Sequence, residues 1–420
     1  MTYYQSTAPA AQSLYPPLNK EISCDVCIIG AGYAGLAAAA ALSEQGNRQV
    51  VLIESEQVGH GASGRNGGFV FGGFSLGNQA LLKQLGPERA RHLYRLTLEA
   101  VELIRNRIDR YGIACDKNEA GVLLANWFDD ERVLTRQLEL MRDQYGVEWT
   151  HWSREQTREQ LHTERYFGAL HEANAFHFNP LKYAQGLAAA LSAQGVQIFE
   201  QTRAVQIDAQ HPEKIIRTGN AMIRAQHVVV CCGGYIEQLV PALSASVLPV
   251  TTFVMATEPL GDRLNEAMST AAAVYDTRFA FDYYRPLNDS RLLWGGRISI
   301  FNPSPEQIAA KLYQDMLKVY PQLKGVKVEH AWSGRMSYAR HQMPQIGQLA
   351  NGIWYAMGFG GHGISTTTLA GEVLAMAILQ QRYLPAGLEK YGLPRSFGAV
   401  GLLAAQCTYW YYELLDRWKE

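Results

Sequence analysis

The stretch Gly30-Ala31-Gly32-Tyr33-Ala34-Gly35 places three glycines at its first, third and sixth positions. Between a strand and a helix, each has its own task. The first makes a tight turn, the second lets a pyrophosphate reach the backbone, and the third lets the helix pack on the strand. Tyr33 and Ala34 open the helix, whose free N–H groups and positive end hold phosphate. Glu54 follows Gly35 by nineteen residues, where a carboxylate closing the next strand accepts hydrogen bonds from an adenosine ribose. Such glycines also serve structure alone, so the flanking pattern decides. Asp25 to Ile29 is apolar, Gly35 to Gln45 is alanine-rich and stopped by Gly46, and Gln49 to Glu54 is apolar again. Strand, helix and strand in register make a dinucleotide-binding βαβ unit.

Two further glycine-rich blocks bear on which dinucleotide. The first, Gly59-His60-Gly61-Ala62-Ser63-Gly64-Arg65-Asn66-Gly67-Gly68, carries Ser63, Arg65, Asn66, Gly67 and Gly68, which can wrap the far side of a pyrophosphate and a ribityl chain. The bland alternative is a flexible linker. The second, Met357-Gly358-Phe359-Gly360-Gly361-His362-Gly363-Ile364, stands between a strand and a helix near the C-terminus. A helix N-terminus there can stabilise the negative charge that a flavin gathers on reduction. A nicotinamide needs no second anchor so far along the chain, so the expected cofactor is FAD, touched by Gly360, Gly361, His362, Gly363 and Ile364. His362 can equally be a packing residue.

These motifs need a body to hold them. The chain has 420 residues, 47% hydrophobic and 18% charged, enough for two domains with real cores. Lys plus Arg number 38 against 39 Asp plus Glu, a balance that argues against a nucleic-acid partner. Cys24 and Cys27 form a CxxC inside the first strand rather than in a metal-binding turn, so no metal is expected. Few cysteines, no signal-like N-terminus and no long apolar window point to a cytoplasmic protein without a transmembrane segment. Residues 1–20 read as an arm on the surface.

Apolar spacing predicts helices near 87–111, 129–145, 182–193, 305–319 and 364–379, and strands at 196–199, 204–208, 215–218, 227–232 and 353–357. Strand-rich sequence fills 248–300. The pattern implies a discontinuous cofactor domain over 21–110, 170–240 and 330–384. A substrate domain over 111–169 and 241–329 is inserted into it, and 385–420 forms a C-terminal helical extension. Tyr409-Trp410-Tyr411-Tyr412 in that extension can pack on the body or meet another subunit.

With Gly61–Gly68, Gly358–Gly363, Cys24–Gly35, Tyr283-Tyr284-Arg285-Pro286 and Leu293-Trp294-Gly295-Gly296-Arg297 in view, the chain resembles the FAD-dependent amine and D-amino-acid oxidoreductase (DAO) family over nearly its whole length. The resemblance implies an α/β fold, α+β overall. A glutathione-reductase-like Rossmann FAD domain would carry an inserted, mainly antiparallel β substrate domain. It further implies that the backbone near Val205 holds adenine, that Cys232-Gly233-Gly234 closes over the nucleotide, and that aromatic residues cover the flavin. Tyr283, Tyr284, Trp294, Trp332 and Tyr338 are the pocket candidates, with Tyr284 and His362 as the catalytic ones. Tyr283 and Tyr284 point to opposite faces of a strand, so both cannot line one pocket. Some relatives attach FAD through a cysteine where this chain reads Trp332 to Tyr338, so dissociable FAD is expected.

The implied reaction moves hydride from the carbon beside an amine nitrogen to the flavin, leaving an imine that water hydrolyses. No general base is assigned. Sarcosine-oxidising relatives hold a carboxylate with a lysine where this chain has Ser365, and other carboxylate-binding arginines align with Phe69 and Gly72. Arg335 falls near a further such place, one residue out of register. The expected substrate is therefore an amine with no carboxylate on the reacting carbon, a polyamine or gamma-glutamyl polyamine such as gamma-glutamylputrescine. An amino-acid dehydrogenase or oxidase of the glycine, sarcosine or D-amino-acid type stays open. The aromatic-rich strands speak against a non-catalytic flavoprotein, and the neutral charge balance against a tRNA-modifying one. The electron acceptor is oxygen or a quinone or carrier; the lysine that promotes the oxygen step in some amine oxidases aligns with Leu293 and Arg297.

Overall fold

The computed structural model describes residues 1–8, 14–46, 48–380 and 384–420. Ile22–Ile29 forms the first strand, and the helix Tyr33–Gln45 leaves it after a three-residue turn. Val50–Ile53 returns beside it, running parallel. The helix can lie that close because Gly35 has no side chain: a Cβ there would stand 1.9 Å from the Gly30 carbonyl oxygen. Strands Met222–Val230, Ile353–Met357 and Gln197–Phe199 extend the parallel sheet on both sides. Gln345–Gln348 closes one edge antiparallel, and the hairpin Ala204–Asp208 with Lys214–Thr218 joins the start of Met222–Val230.

The second sheet has eight strands, running in order from Val328–Ala339 through Val247–Thr257, Leu292–Ser299, Asp282–Pro286, Ala273–Asp276, Val122–Ala125 and Ala169–Glu172 to Thr150–Trp152. Every neighbouring pair is antiparallel except Ala273–Asp276 with Val122–Ala125. The strand Val328–Ala339 crosses the expected boundary at 330. Its register with Val247–Thr257 keeps it in the second sheet.

Helices expected at 87–111 and 305–319 occupy Pro87–Tyr111 and Pro305–Val319. The one near 129–145 is Arg132–Glu139 continued by a π-helical turn over Leu140–Tyr145. The N-terminal arm corrects the sequence reading. A short helix, Tyr3–Thr7, buries Tyr3 and Tyr4, and the Tyr4 hydroxyl donates to the Asn66 carbonyl at 2.8 Å. A polar, proline-containing segment hides two apolar anchors that no periodicity marks.

The helix Gly363–Gln380 packs along Tyr33–Gln45, and buried Arg107 from Pro87–Tyr111 bridges both. Its guanidinium lies 2.7 Å from Glu44 and 2.7 Å from Glu372. At the crossing, a Cβ on Gly371 would come within 2.5 Å of the Ala37 carbonyl carbon. Gly371→Val is therefore expected to destabilise the protein by at least the roughly 1–3 kcal/mol typical of overpacking. A lowered urea midpoint, with Gly371→Ala between the two, checks this.

Candidate active site

One cavity of about 940 Å³ runs between the two sheets. Gly30, Gly32, Tyr33 and Ala34 line one end together with Glu54, Ser63, Arg65 and Val205. Cys232 and Gly233 join them there. Asn66, Gly67 and Gly68 lead towards Gly360, Gly361, His362, Gly363 and Ile364. Gly35 alone of the sequence-derived cofactor residues does not touch the cavity, because its task is the contact with Gly30.

The nucleotide end fits a dinucleotide. Helix geometry leaves the first amides of Tyr33–Gln45 without intrahelical acceptors. Ser63 Oγ accepts from Tyr33 N at 2.8 Å, which joins the second glycine block to the first. Glu54 Oε2 accepts from Ala31 N at 2.8 Å, and Oε1 from Glu56 N at 3.0 Å. The carboxylate thus holds the turn as well as facing the cavity. Asn66 braces its own loop, donating to the Ala62 and Ser63 carbonyls and accepting from Gly68 N.

Across the middle, Gly67 leaves space that a Cβ would fill, 2.6 Å from the Tyr283 ring. Buried Arg285 fixes this loop to the second sheet. Its Nε donates to Gly67 O at 2.6 Å and one terminal nitrogen to Phe178 O at 2.8 Å. Its neighbour His177 is pushed down to about 3 by burial and then by the Arg285 charge. The Tyr283-Tyr284-Arg285-Pro286 motif is thus in part a clamp.

Strand alternation sorts the aromatic candidates. Tyr283 and Tyr338 line the cavity. Tyr284, expected to be catalytic, turns into the core on the opposite face. It stacks on Trp294 at 4.3 Å and shares a 3.0 Å hydrogen bond with Tyr320. Trp294 follows it there because the two are register partners. Trp332 is buried against Tyr4, its Nε1 donating to Arg65 O at 2.9 Å. These three are packing residues.

The far end of the cavity brings the expected Tyr283 and His362 together with Phe69, Phe71, Tyr275 and Phe281, which the sequence did not single out as pocket residues. Tyr275 stacks on Phe71 at 5.7 Å, His362 meets Phe71 edge-on at 5.0 Å, and Phe69 meets Tyr283 at 5.6 Å. Phe281 closes on Tyr275 at 6.1 Å. Burial holds His362 down at about 4, so its imidazole is neutral at neutral pH. Glu172, 6% exposed, ends its strand at this cavity, and burial pushes its carboxyl up to about 7 despite the Gly72 N–H that opposes the shift. A lone carboxylate after His171 reads in sequence like any solvated strand end, so neither residue type nor spacing marks it. The C-terminal helix Gly398–Trp418 packs on the second sheet and brings Tyr409 to the cavity.

A Rossmann-type sheet, a glycine-lined cavity and an antiparallel sheet covering it define a flavin-dependent oxidoreductase. The chain belongs to the family described as FAD dependent oxidoreductase, whose model matches residues 25–377. It is 34% identical to gamma-glutamylputrescine oxidoreductase of Escherichia coli strain K12 over 395 residues, 89% of either chain. It is 33% identical to a probable oxidoreductase, OrdL, of Haemophilus influenzae over 416 residues, 96% of this chain and 95% of that one. Glycine oxidase from Geobacillus kaustophilus shares the fold, with TM-score 0.73 at 21% identity, over 89% of this chain and 99% of that one.

Two outcomes follow from the site. Glu54→Arg removes acceptors that a cation cannot replace, so FAD affinity is expected to fall at least about tenfold, one charged hydrogen bond being worth roughly 1.5–3 kcal/mol. Titrating apoprotein with FAD by fluorescence checks it, and unchanged affinity would remove Glu54 from the site. Glu172, with its folded pKa raised, gives stability that is fully present below its unfolded pKa and lost as pH rises through about 7. Glu172→Gln is therefore expected to unfold at a higher temperature than the parent at pH 8, by up to about 3 kcal/mol of stability, and nearly level with it at pH 4.

Proposed function

We propose that this enzyme oxidises a polyamine or gamma-glutamyl polyamine at a carbon that bears no carboxylate. The observation that carries the reading is the charge state of the substrate end. Arg278 is paired with Asp276 and Asp282, and Arg297 with Asp315 and Glu413. Among the described residues no lysine lines the cavity. A carboxylate on the reacting carbon would have to give up water there without a free cation, at a cost of several kcal/mol. Ser365, in the place of a carboxylate-binding lysine, spends its hydroxyl on Phe71 O at 2.8 Å. Arg335 is solvent-exposed and lies over the Tyr235 ring, towards Gly234 and the nucleotide end. The name of the Escherichia coli relative agrees with an amine of this class.

FAD, when bound, accepts the hydride from the carbon beside nitrogen. What the protein adds is position and electrostatics. The amine needs its lone pair to release hydride, and an alkylammonium in water has a pKa of roughly 10.4. The rings of Phe69, Phe71, Tyr275, Phe281 and Tyr283 withhold water and so favour the neutral amine. Neutral His362 adds no charge of its own. Leu293 is buried away from the cavity and Arg297 is neutralised by its partners, so neither position supplies the free cation associated with the oxygen step. We infer a dissociable FAD, since the strand Val328–Ala339 carries no cysteine.

Anaerobic mixing of holoenzyme with putrescine, spermidine and their gamma-glutamyl derivatives is expected to bleach the flavin faster than sarcosine, glycine or D-amino acids do. Faster bleaching by any of the amino acids would overturn the reading. Peroxide release in air would then identify oxygen as acceptor.

A further inference from the structure

Glu172 lies beyond the stacked pair of Phe71 and Tyr275 as seen from the glycine-rich turn. His362 of that turn meets Phe71 and Phe71 meets Tyr275; Glu172 pairs with Val122 and Val122 with Ala273, two residues before Tyr275, so Glu172 and Tyr275 share one face of the sheet and both line the cavity. Glu172 stands at the end of the strand Ala169–Glu172, the last but one of the second sheet, and is buried there. Its carboxyl has the Gly72 N–H as a partner, and among the described residues no Lys or Arg pairs with it. Tyr94 also faces it across Gly72. The Tyr94 hydroxyl is buried without a hydrogen-bond partner and lines the same cavity. Beside the rings of Phe71, Tyr275 and Trp149 the cavity therefore carries a buried carboxyl that ionises as the pH passes about 7, and a hydroxyl with no partner among the described residues. A buried carboxylate is tolerated where a cation completes it.

The chemistry says which cation. A nitrogen held by a carboxylate keeps its proton, because the opposite charge favours the ammonium form. That suits a nitrogen that must stay charged and defeats one that must lose its proton before giving up hydride. We propose, resting on the amine reading above, that Glu172 is a specificity-determining residue. It receives a second ammonium group at the end of the substrate away from the reacting carbon, so that the enzyme prefers doubly charged chains over monoamines. The aromatic walls between the two ends add to the same preference, since rings attract alkylammonium groups through their faces.

The test measures binding on anaerobic holoenzyme at pH 8, where the Glu172 carboxyl is ionised, by calorimetry and by perturbation of the flavin spectrum, with 1,4-diaminobutane against n-butylamine. The parent is expected to bind the diamine at least about tenfold more tightly, the usual worth of one charge-assisted hydrogen bond. Glu172→Gln should bring that ratio near one while leaving butylamine affinity within about twofold, and Glu172→Asp should fall between. Equal affinities in the parent, or an unchanged ratio in Glu172→Gln, would overturn the proposal. Because the reading is of affinity, it is decided whether or not either amine bleaches the flavin. A chain that showed the Glu172-dependent ratio but was reduced by no amine would defeat the amine-oxidation reading alone. Should Glu172→Gln fail to yield holoenzyme, the parent's affinities from 1,3-diaminopropane to 1,6-diaminohexane decide. A fixed carboxylate demands a single optimum length, and a monotonic series would overturn the assignment.

Discussion

The structure depends on two backbones meeting without side chains between them, where Gly35 rests on the carbonyl of Gly30. With that contact the helix Tyr33–Gln45 begins directly over the end of the first strand, its first amides facing the cavity. The remaining parts of the nucleotide end are arranged around this start. Ser63 reaches in to Tyr33 N, Glu54 reaches back to Ala31 N, and Gly363–Gln380 lies along the same helix at Gly371. Arg107, on one helix, ties it to the other two through Glu44 and Glu372. A buried arginine with two carboxylates is weak evidence of stability by itself. Here it sets the registration of elements drawn from three distant parts of the chain.

The second sheet turns this cofactor platform into an enclosed site. Its strands alternate, so one face packs into a core around Tyr284, Trp294 and Tyr320, and the other presents Tyr283 and Tyr275 to the cavity. Charge is handled by pairing rather than by exclusion. Arg278 and Arg297 line the cavity, yet both spend their guanidinium groups on buried carboxylates. Burial and pairing leave a chamber walled by aromatic rings, with no lysine among the described residues and one buried carboxyl, Glu172, whose ionisation burial opposes. The C-terminal helix completes the wall through Tyr409 and is tied down by the Arg297–Glu413 pair and by Asp416 accepting from Ala280 N.

Much of the cofactor end was legible because its signals are local. A turn, a helix start and a strand end lie within thirty residues, and glycine is the residue that such turns require. Helix limits such as 305–319 were legible because a serine cap, a first-turn proline and a stopping proline bracket them. The substrate end gave no local signal. Two adjacent tyrosines read alike, and resemblance favoured Tyr284, but the pairing with Trp294 and the space left by Gly295 put Tyr284 in the core and Tyr283 over the cavity.

By itself the sequence determined the dinucleotide unit, the family and the balance of charge, since each follows from residue types at short spacing. Only the tertiary structure decided which aromatic rings face the cavity, that Tyr3 and Tyr4 are anchors, that Arg278 and Arg297 are paired, and that Glu172 is buried with no Lys or Arg beside it among the described residues. The reason is physical. Facing and pairing depend on register between strands far apart in the chain, and shifting a strand by one residue exchanges its two faces.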